Sequence, residues 1–488
     1  MTRAHASLRH PVLTVSTLLL ALAGCAHAPG EAPQAAAAAA AAAPAAIAPP
    51  APSELPAWVE LGAAPLVRTV LPAGAACPSL AVDDREQPMT LRVGAGTPAR
   101  RPPSDKPADF PVQVCEAALA PGARAVRLGG RALPVPADEP RRIVVLGDTG
   151  CRIKGDFTQD CASPDGWPFA QVARTAAALR PDLVIHVGDY HYRETPCPAG
   201  HPGCAGSPWG YGWDAWSADF FVPARPLLAA APWIFVRGNH EECARAGQGW
   251  FRLLAPEPWT PHRSCDVPAD DGDADYTPPY AVPLGATAQL VVFDSAHAGY
   301  KKPDLSTPAG AAIHAHYVAD VRAMDALASP GRRSWFASHH PVLGFAPNDT
   351  PGATRPYPGT AALLQAMGEV NGEVYFPPGM QLALHGHVHL FQALSFEDGH
   401  PATLVAGNGG DVLDDPLPAP LPPGTTPAPG VRLGGTAFSN AFGFLLMERA
   451  DDAGRWTVTA FRRDGSELTR CALSADGKLA CVPHGAIQ

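Results

Sequence analysis

From Arg141 onward, short and mostly apolar runs alternate with longer amphipathic ones. The runs at 143–146, 183–187, 233–236, 290–293, 334–337, 381–384 and 403–405 read as strands. A short segment with apolar residues on both faces suits a strand inside a covered sheet. Between them, 169–179 has helical periodicity, and 213–228 and 311–327 also read as helices. Strand, loop and helix repeated in this way predict an α/β layout, in which functional groups gather at strand C-termini. Strands return at 444–447, 456–461 and 468–473.

Upstream the texture differs. Apolar runs at 66–71, 89–93, 112–115 and 125–128 are separated by Pro/Gly turns, which predicts a small all-β, sandwich-like domain over residues 55–140. Residues 141–488 then form a second, α/β domain. Two long Pro/Gly-rich stretches, 196–212 and 411–438, are expected to rim its cleft.

Residues 1–25 read as an export signal. Arg3 and Arg9 precede an apolar core at 11–22 that is too short to span a bilayer. It ends in Leu22-Ala23-Gly24-Cys25, which resembles a bacterial lipobox; that resemblance implies cleavage before Cys25 and lipid on its thiol. The Ala/Pro-rich stretch 26–54 is a linker between anchor and folded body. The protein is thus expected to be exported and lipid-anchored at the bacterial cell envelope, on its periplasmic or outer-membrane face, and an ordinary secretory signal is the alternative. Net charge is −10 with no Lys/Arg block, which argues against a nucleic-acid-binding surface.

Eleven cysteines are present, and setting Cys25 aside leaves an even ten, suited to an oxidising compartment. Connectivity does not follow from sequence. A nearest-neighbour scheme would join Cys77 to Cys115, Cys151 to Cys161, Cys197 to Cys204, Cys243 to Cys265, and Cys471 to Cys481. Each bridge would stabilise by roughly 2–4 kcal/mol.

The chemistry is carried by five motifs, each at the end of an expected strand: GDTG, GDYHY, GNHE, SHHP and GHVH. They offer Asp148, Asp189, Tyr192, Asn239, His387 and His389, with either His339 or His340, as ligands to two metal ions. Two closely spaced cations need a bridging anion, and the two oxygens of a carboxylate meet that need; Asp189 is the candidate bridge. In His387-Val388-His389 the two rings leave an extended segment on one side, so neighbouring ions can each take one. A phenolate such as that of Tyr192 is a hard anionic donor, best stabilised by a highly charged ion such as Fe(III). The glycines at 407, 409 and 410 form a turn and no P-loop, since no Lys-Ser/Thr helix follows.

These motifs resemble the purple acid phosphatase branch of the calcineurin-like metallophosphoesterases. That branch shows GDxG, GDxxY, GNH[DE], V-x-x-H and GHxH, and the match here departs only at Phe336, which stands for Val. Gly150 stands where most of the superfamily has a ligand histidine, and Tyr192 supplies the missing donor. The resemblance covers about residues 141–475 and implies two central β-sheets flanked by helices. It selects His339 as the ligand, with His340 and Glu241 as neighbouring supports. It implies Fe(III) on Asp148, Asp189, Tyr192 and His389, and a divalent ion (Fe, Zn or Mn) on Asp189, Asn239, His339 and His387. His240 matches the residue that protonates the leaving group, here expected as imidazolium. The expected activity is hydrolysis of small-molecule phosphate monoesters, with activated water as nucleophile. A phosphodiesterase of the same fold acting on nucleotides or lipid head groups is the alternative, and a non-enzymatic surface-binding lipoprotein is a third.

Overall fold

The run Ile143-Val144-Val145-Leu146 shows how the sequence builds the core. Its four side chains are fully buried, and they point alternately to the two faces of a sheet. Ile143 and Val145 pack with Leu183, Ile185, Leu290, Trp335, Leu382 and Leu404, whereas Val144 and Leu146 pack with Phe169, Val172, Phe220 and Leu227. One face of this sheet therefore meets a second sheet and the other meets helices. The second sheet repeats the pattern: Val291, Phe336, Ala383 and Val405 face Val321, Met324, Leu363 and Ala366. The result is a helix–sheet–sheet–helix sandwich in a computed structural model that describes residues 56–101, 104–155, 157–328 and 331–482. The expected signal, Cys25 and the linker fall outside the described residues.

The first sheet has eleven strands. At its centre Arg142–Leu146, Leu183–His186 and Trp233–Phe235 run parallel, flanked on one side by the antiparallel strand Gly443–Arg449. The second has seven strands, with Ala288–Val292, Arg333–Ala337, Met380–His385 and Ala402–Ala406 all parallel. Expected helices appear at Phe169–Ala178, Pro308–Leu327 and across Trp213–Leu228, the last with a π-helical turn at Ser217–Phe221. The helix Ala361–Asn371 and the strand Phe391–Phe396 had no reading in the sequence.

The N-terminal β region is all-β as expected, but its strands do not stand apart. Ala57–Leu61 pairs in parallel with Trp233–Phe235, and Pro65–Pro72, Val112–Ala118 and Thr90–Val93 continue the same sheet. The described residues accordingly cluster as one unit. An exposed edge on Trp233–Phe235 would leave backbone donors and acceptors unpaired, and the N-terminal strands cover it. A smaller four-stranded sheet, Ser79–Val82, Arg85–Pro88, Val126–Leu128 and Arg131–Leu133, is the part of this region outside the main sheet.

All five cysteine pairs form in the nearest-neighbour scheme. Cys151–Cys161 and Cys243–Cys265 brace the loops that follow GDTG and GNHE. Among the described residues, no helix is long and apolar enough to cross a membrane.

Candidate metal centre

Parallel strands end on a common edge, so the loops after Leu146, His186, Phe235, Ala337 and His385 open toward one another. The backbone is tied across them: Asp148 N–H donates to the Gly188 carbonyl (2.9 Å), and Gly386 N–H to that of His339 (3.0 Å). Asp148, Asp189 and His387 take left-handed backbone conformations, with φ of 56°, 59° and 68°. Strain of this kind persists where the surroundings enforce it, and it aims these side chains inward.

The seven expected ligands converge in two overlapping groups. In the first, the Tyr192 hydroxyl lies 3.1 Å from Asp148 Oδ1, 2.8 Å from Asp189 Oδ2 and 3.1 Å from His389 Nε2. His389 Nε2 is 3.2 Å from Asp148 Oδ1. In the second, His339 Nε2 is 3.0 Å from Asn239 Oδ1 and 3.2 Å from Asp189 Oδ2. His387 Nδ1 lies 2.9 Å from Asn239 Oδ1 and 3.2 Å from His339 Nε2. Asp189 belongs to both groups, as a bridge must.

The donor set fits a pair of cations. Metal–donor bonds of about 2.0–2.1 Å at right angles place neighbouring donors about 3 Å apart, the spacing seen here. Hydrogen bonding also fixes two ring tautomers. His339 Nδ1 donates to the Val187 carbonyl (2.8 Å) and His389 Nδ1 to that of Val412 (2.7 Å), so each Nε2 is turned toward carboxylate oxygens. Positive charge is needed between each Nε2 and those carboxylates, supplied by a metal ion or, without one, by a proton on the ring. Burial alone would lower both rings, yet Asp189 and Asp148 raise His339 to about 9, and Asp411 with Asp148 raises His389 to about 10. Burial, then Asp189 and Asp148, pushes the Tyr192 phenol well up, so only a strong local cation would make it a phenolate.

Gly150 explains how the tyrosine fits. A Cβ at this position would lie 2.8 Å from the Tyr190 carbonyl oxygen and 2.9 Å from Tyr192 Cδ2. The glycine at 150 therefore leaves the room that the Tyr192 ring occupies.

The neighbouring supports are placed as follows. Glu241 accepts from the backbone N–H groups of Gly238, Asp189, Tyr190 and His191 at 2.9–3.2 Å, locking the GNHE and GDYHY loops together. His340 is buried, takes a hydrogen bond from the Ser295 hydroxyl or returns one at 3.3 Å, and packs 4.0 Å from the His387 ring. His339, not His340, is the one among the donors. His186 contacts Thr149 Oγ1 at 3.0 Å from the core side.

His240 stacks 3.8 Å from the Tyr192 ring, but its charge differs from expectation. Its Nδ1 contacts the His191 carbonyl (2.9 Å) and Glu194 (3.1 Å), and Arg245 lies against the ring at 2.6 Å. Burial and the Arg245 guanidinium push it down to about 3, so the ring is a neutral imidazole here. The positive charge at this corner belongs to Arg245, which is paired with Glu194.

Several groups in the centre have no motif of their own. Asp219 accepts from the backbone N–H groups of Cys151 (3.0 Å) and Tyr192 (2.7 Å) and fixes the tyrosine loop from beneath. Arg152 pairs with Asp411 and lies 4.8 Å over the Tyr192 ring, while Asp411 stands 3.4 Å from His389 Nδ1. The 411–438 stretch thus reaches the centre, as expected of a rim. A GDTG-x-R pattern hints at Arg152; Asp219 and Arg245 carry no sequence signal.

The family model for calcineurin-like phosphoesterases matches residues 141–391, the span that carries all five motifs. The chain belongs to the calcineurin-like phosphoesterase family, and it is a metal-dependent phosphoester hydrolase by class. Among solved structures it is similar to a purple acid phosphatase from yellow lupin (Lupinus luteus) seeds, at 15% identity over 89% of this chain and 77% of that one, with a TM-score of 0.48. It is also similar to PhoD, at 12% identity over 88% and 92% with a TM-score of 0.48. A dimetal phosphatase from Danio rerio matches at 11% identity over 69% and 100%, with a TM-score of 0.39. No curated protein matches the chain.

Proposed function

We propose that the chain is an exported, purple acid phosphatase-like phosphomonoesterase whose centre holds Fe(III) on Asp148, Asp189, Tyr192 and His389, with a divalent ion on Asp189, Asn239, His339 and His387. One observation carries the reading: the Tyr192 hydroxyl lies within 3.1 Å of three other donors, in the space that Gly150 leaves open. When bound, the cations supply charge neutralisation of the phosphate ester and a water of lowered pKa. The chain's own part is to bind and orient. His240, held by Glu194 and the His191 carbonyl, presents its ring beside Tyr192, and Arg245 supplies positive charge for an ester oxygen there.

The test pairs a spectrum with an assay. Wild-type protein should show a tyrosinate-to-iron absorption band, and Tyr192→Phe should lose it while keeping the far-UV spectrum of the fold. A band that survives the substitution rules out Tyr192 as a ligand. The protein should turn over p-nitrophenyl phosphate faster than bis(p-nitrophenyl) phosphate; the reverse order favours the phosphodiesterase alternative.

His240→Ala should lower turnover about equally for alkyl phosphates and p-nitrophenyl phosphate, because a neutral ring has no proton to give the leaving group. A loss concentrated in the alkyl phosphates would overturn this and make His240 the proton donor.

Export with a lipid anchor at Cys25 is part of the same proposal. Its support is that the five bridges use ten of the eleven cysteines and Cys25 is the remaining one. In cells, Cys25→Ala should move the protein from the membrane to the soluble fraction, and unchanged partitioning would refute the anchor.

A further inference from the structure

Beside the GHVH loop lies a cavity of about 510 Å³, lined by Tyr300, Lys301, Asp349, Tyr357, Asp414 and Asp415, with proline, alanine and glycine making up the rest. It adjoins the metal centre through two residues. The Tyr300 ring is 4.9 Å from that of His387, and Asp414 Oδ2 accepts from the His389 backbone N–H at 2.8 Å. The geometry points to a leaving-group subsite that selects phosphate esters of cationic amino alcohols, whose ammonium the cavity would receive.

Three features carry this. First, Asp349, Asp414 and Asp415 face one lysine, so the cavity attracts cations and repels a second phosphate or a carboxylate. Second, Tyr300 and Tyr357 are 57% and 41% exposed, a large aromatic area to leave wet unless a ligand covers it. Tyrosine faces bind alkylammonium groups through the ring quadrupole. Third, the far wall is held in shape without a ligand. Ala346 and Tyr357 exchange backbone hydrogen bonds (3.0 and 2.8 Å), and Thr350 Oγ1 meets the Tyr357 hydroxyl at 3.1 Å. An ester bound at the metals therefore has its alcohol portion beside a preformed anionic, aromatic pocket.

This inference rests on the phosphoesterase reading, and the experiment separates the two. Initial rates on the metal-loaded protein are compared for 2-aminoethyl phosphate, its trimethylammonium analogue and the neutral 2-hydroxyethyl phosphate. The ratio of kcat/KM values, cationic over neutral, should be about tenfold in the wild type. Asp349→Asn combined with Asp415→Asn should bring it near unity, and Tyr357→Ala should reduce the preference for the trimethylammonium ester most. A wild-type ratio near one, or a ratio untouched by the double substitution, overturns the subsite while hydrolysis of the neutral ester keeps the phosphoesterase reading intact. Inactivity toward all three esters with both metals bound overturns both.

Discussion

Asp189→Asn is expected to lower phosphate-ester hydrolysis by about 10³-fold and to reduce bound metal from about two ions per chain to one or fewer. Asp189 Oδ2 sits 2.8 Å from the Tyr192 hydroxyl and 3.2 Å from His339 Nε2, so it alone touches both donor groups. An amide has one oxygen and no charge: with that oxygen accepting from the His240 N–H at the Oδ1 position, an NH2 group replaces the Oδ2 that faces both donor groups. Asparagine is the informative substitution because position 189 has φ of 59°, a conformation asparagine tolerates. It also keeps an oxygen to accept from the His240 backbone N–H, now 2.9 Å from Asp189 Oδ1. Elemental analysis and the rate are read on the same sample. Retention of both ions with activity within tenfold of wild type would remove Asp189 as the bridge.

The second large effect concerns stability, far from the metals. Arg68 on the strand Pro65–Pro72 is fully buried and donates to Glu60 (2.7 Å), Glu116 (3.0 Å) and the carbonyls of Leu253 (3.1 Å) and Ala255 (2.8 Å). It therefore pins the N-terminal strands to the end of the helix Gly247–Leu253. Arg68→Met fills the volume but leaves Glu60 buried without its partner, and should destabilise by about 3–5 kcal/mol. The pH dependence has a defined sign. Burial pushes Glu60 up to about 7, so its folded-state pKa exceeds its unfolded value and ionising it opposes folding as pH rises between about 4.5 and 7. Without Arg68 that opposition grows, so the loss should be larger at pH 8 than at pH 5. Urea unfolding at both pH values, followed by tryptophan emission, measures it. A loss below about 1 kcal/mol at pH 8 would contradict the buried network.

The centre was legible in the sequence to an unusual degree because its parts are local. A strand of the second sheet such as 381–384 declares itself by the apolar run Leu382-Ala383-Leu384, and the glycine-bounded motif after it marks where the strand ends. Seven ligand candidates read in this way lie together in the fold, at spacings near 3 Å. Legibility failed where a residue acts through a distant partner. Arg152 and Asp411 are 259 positions apart, and Asp219 supports Tyr192 from a helix that reads only as apolar packing. His240 was readable as a residue of the centre but not in its charge, since Arg245 five residues on also looks like an ordinary surface arginine.

The sequence alone determined the α/β alternation, the ends of the strands, the types of the candidate donors and, through Gly150 and Tyr192, the place of a tyrosine among them. All of these depend on side-chain periodicity or on a few adjacent residues. Only the tertiary structure decided that the N-terminal strands join the main sheet, that Arg152 and Asp411 meet beside Tyr192, and where the cavity beside His387 lies. Those follow from which edges and charges meet through space, and a chain's order does not encode that in any local pattern.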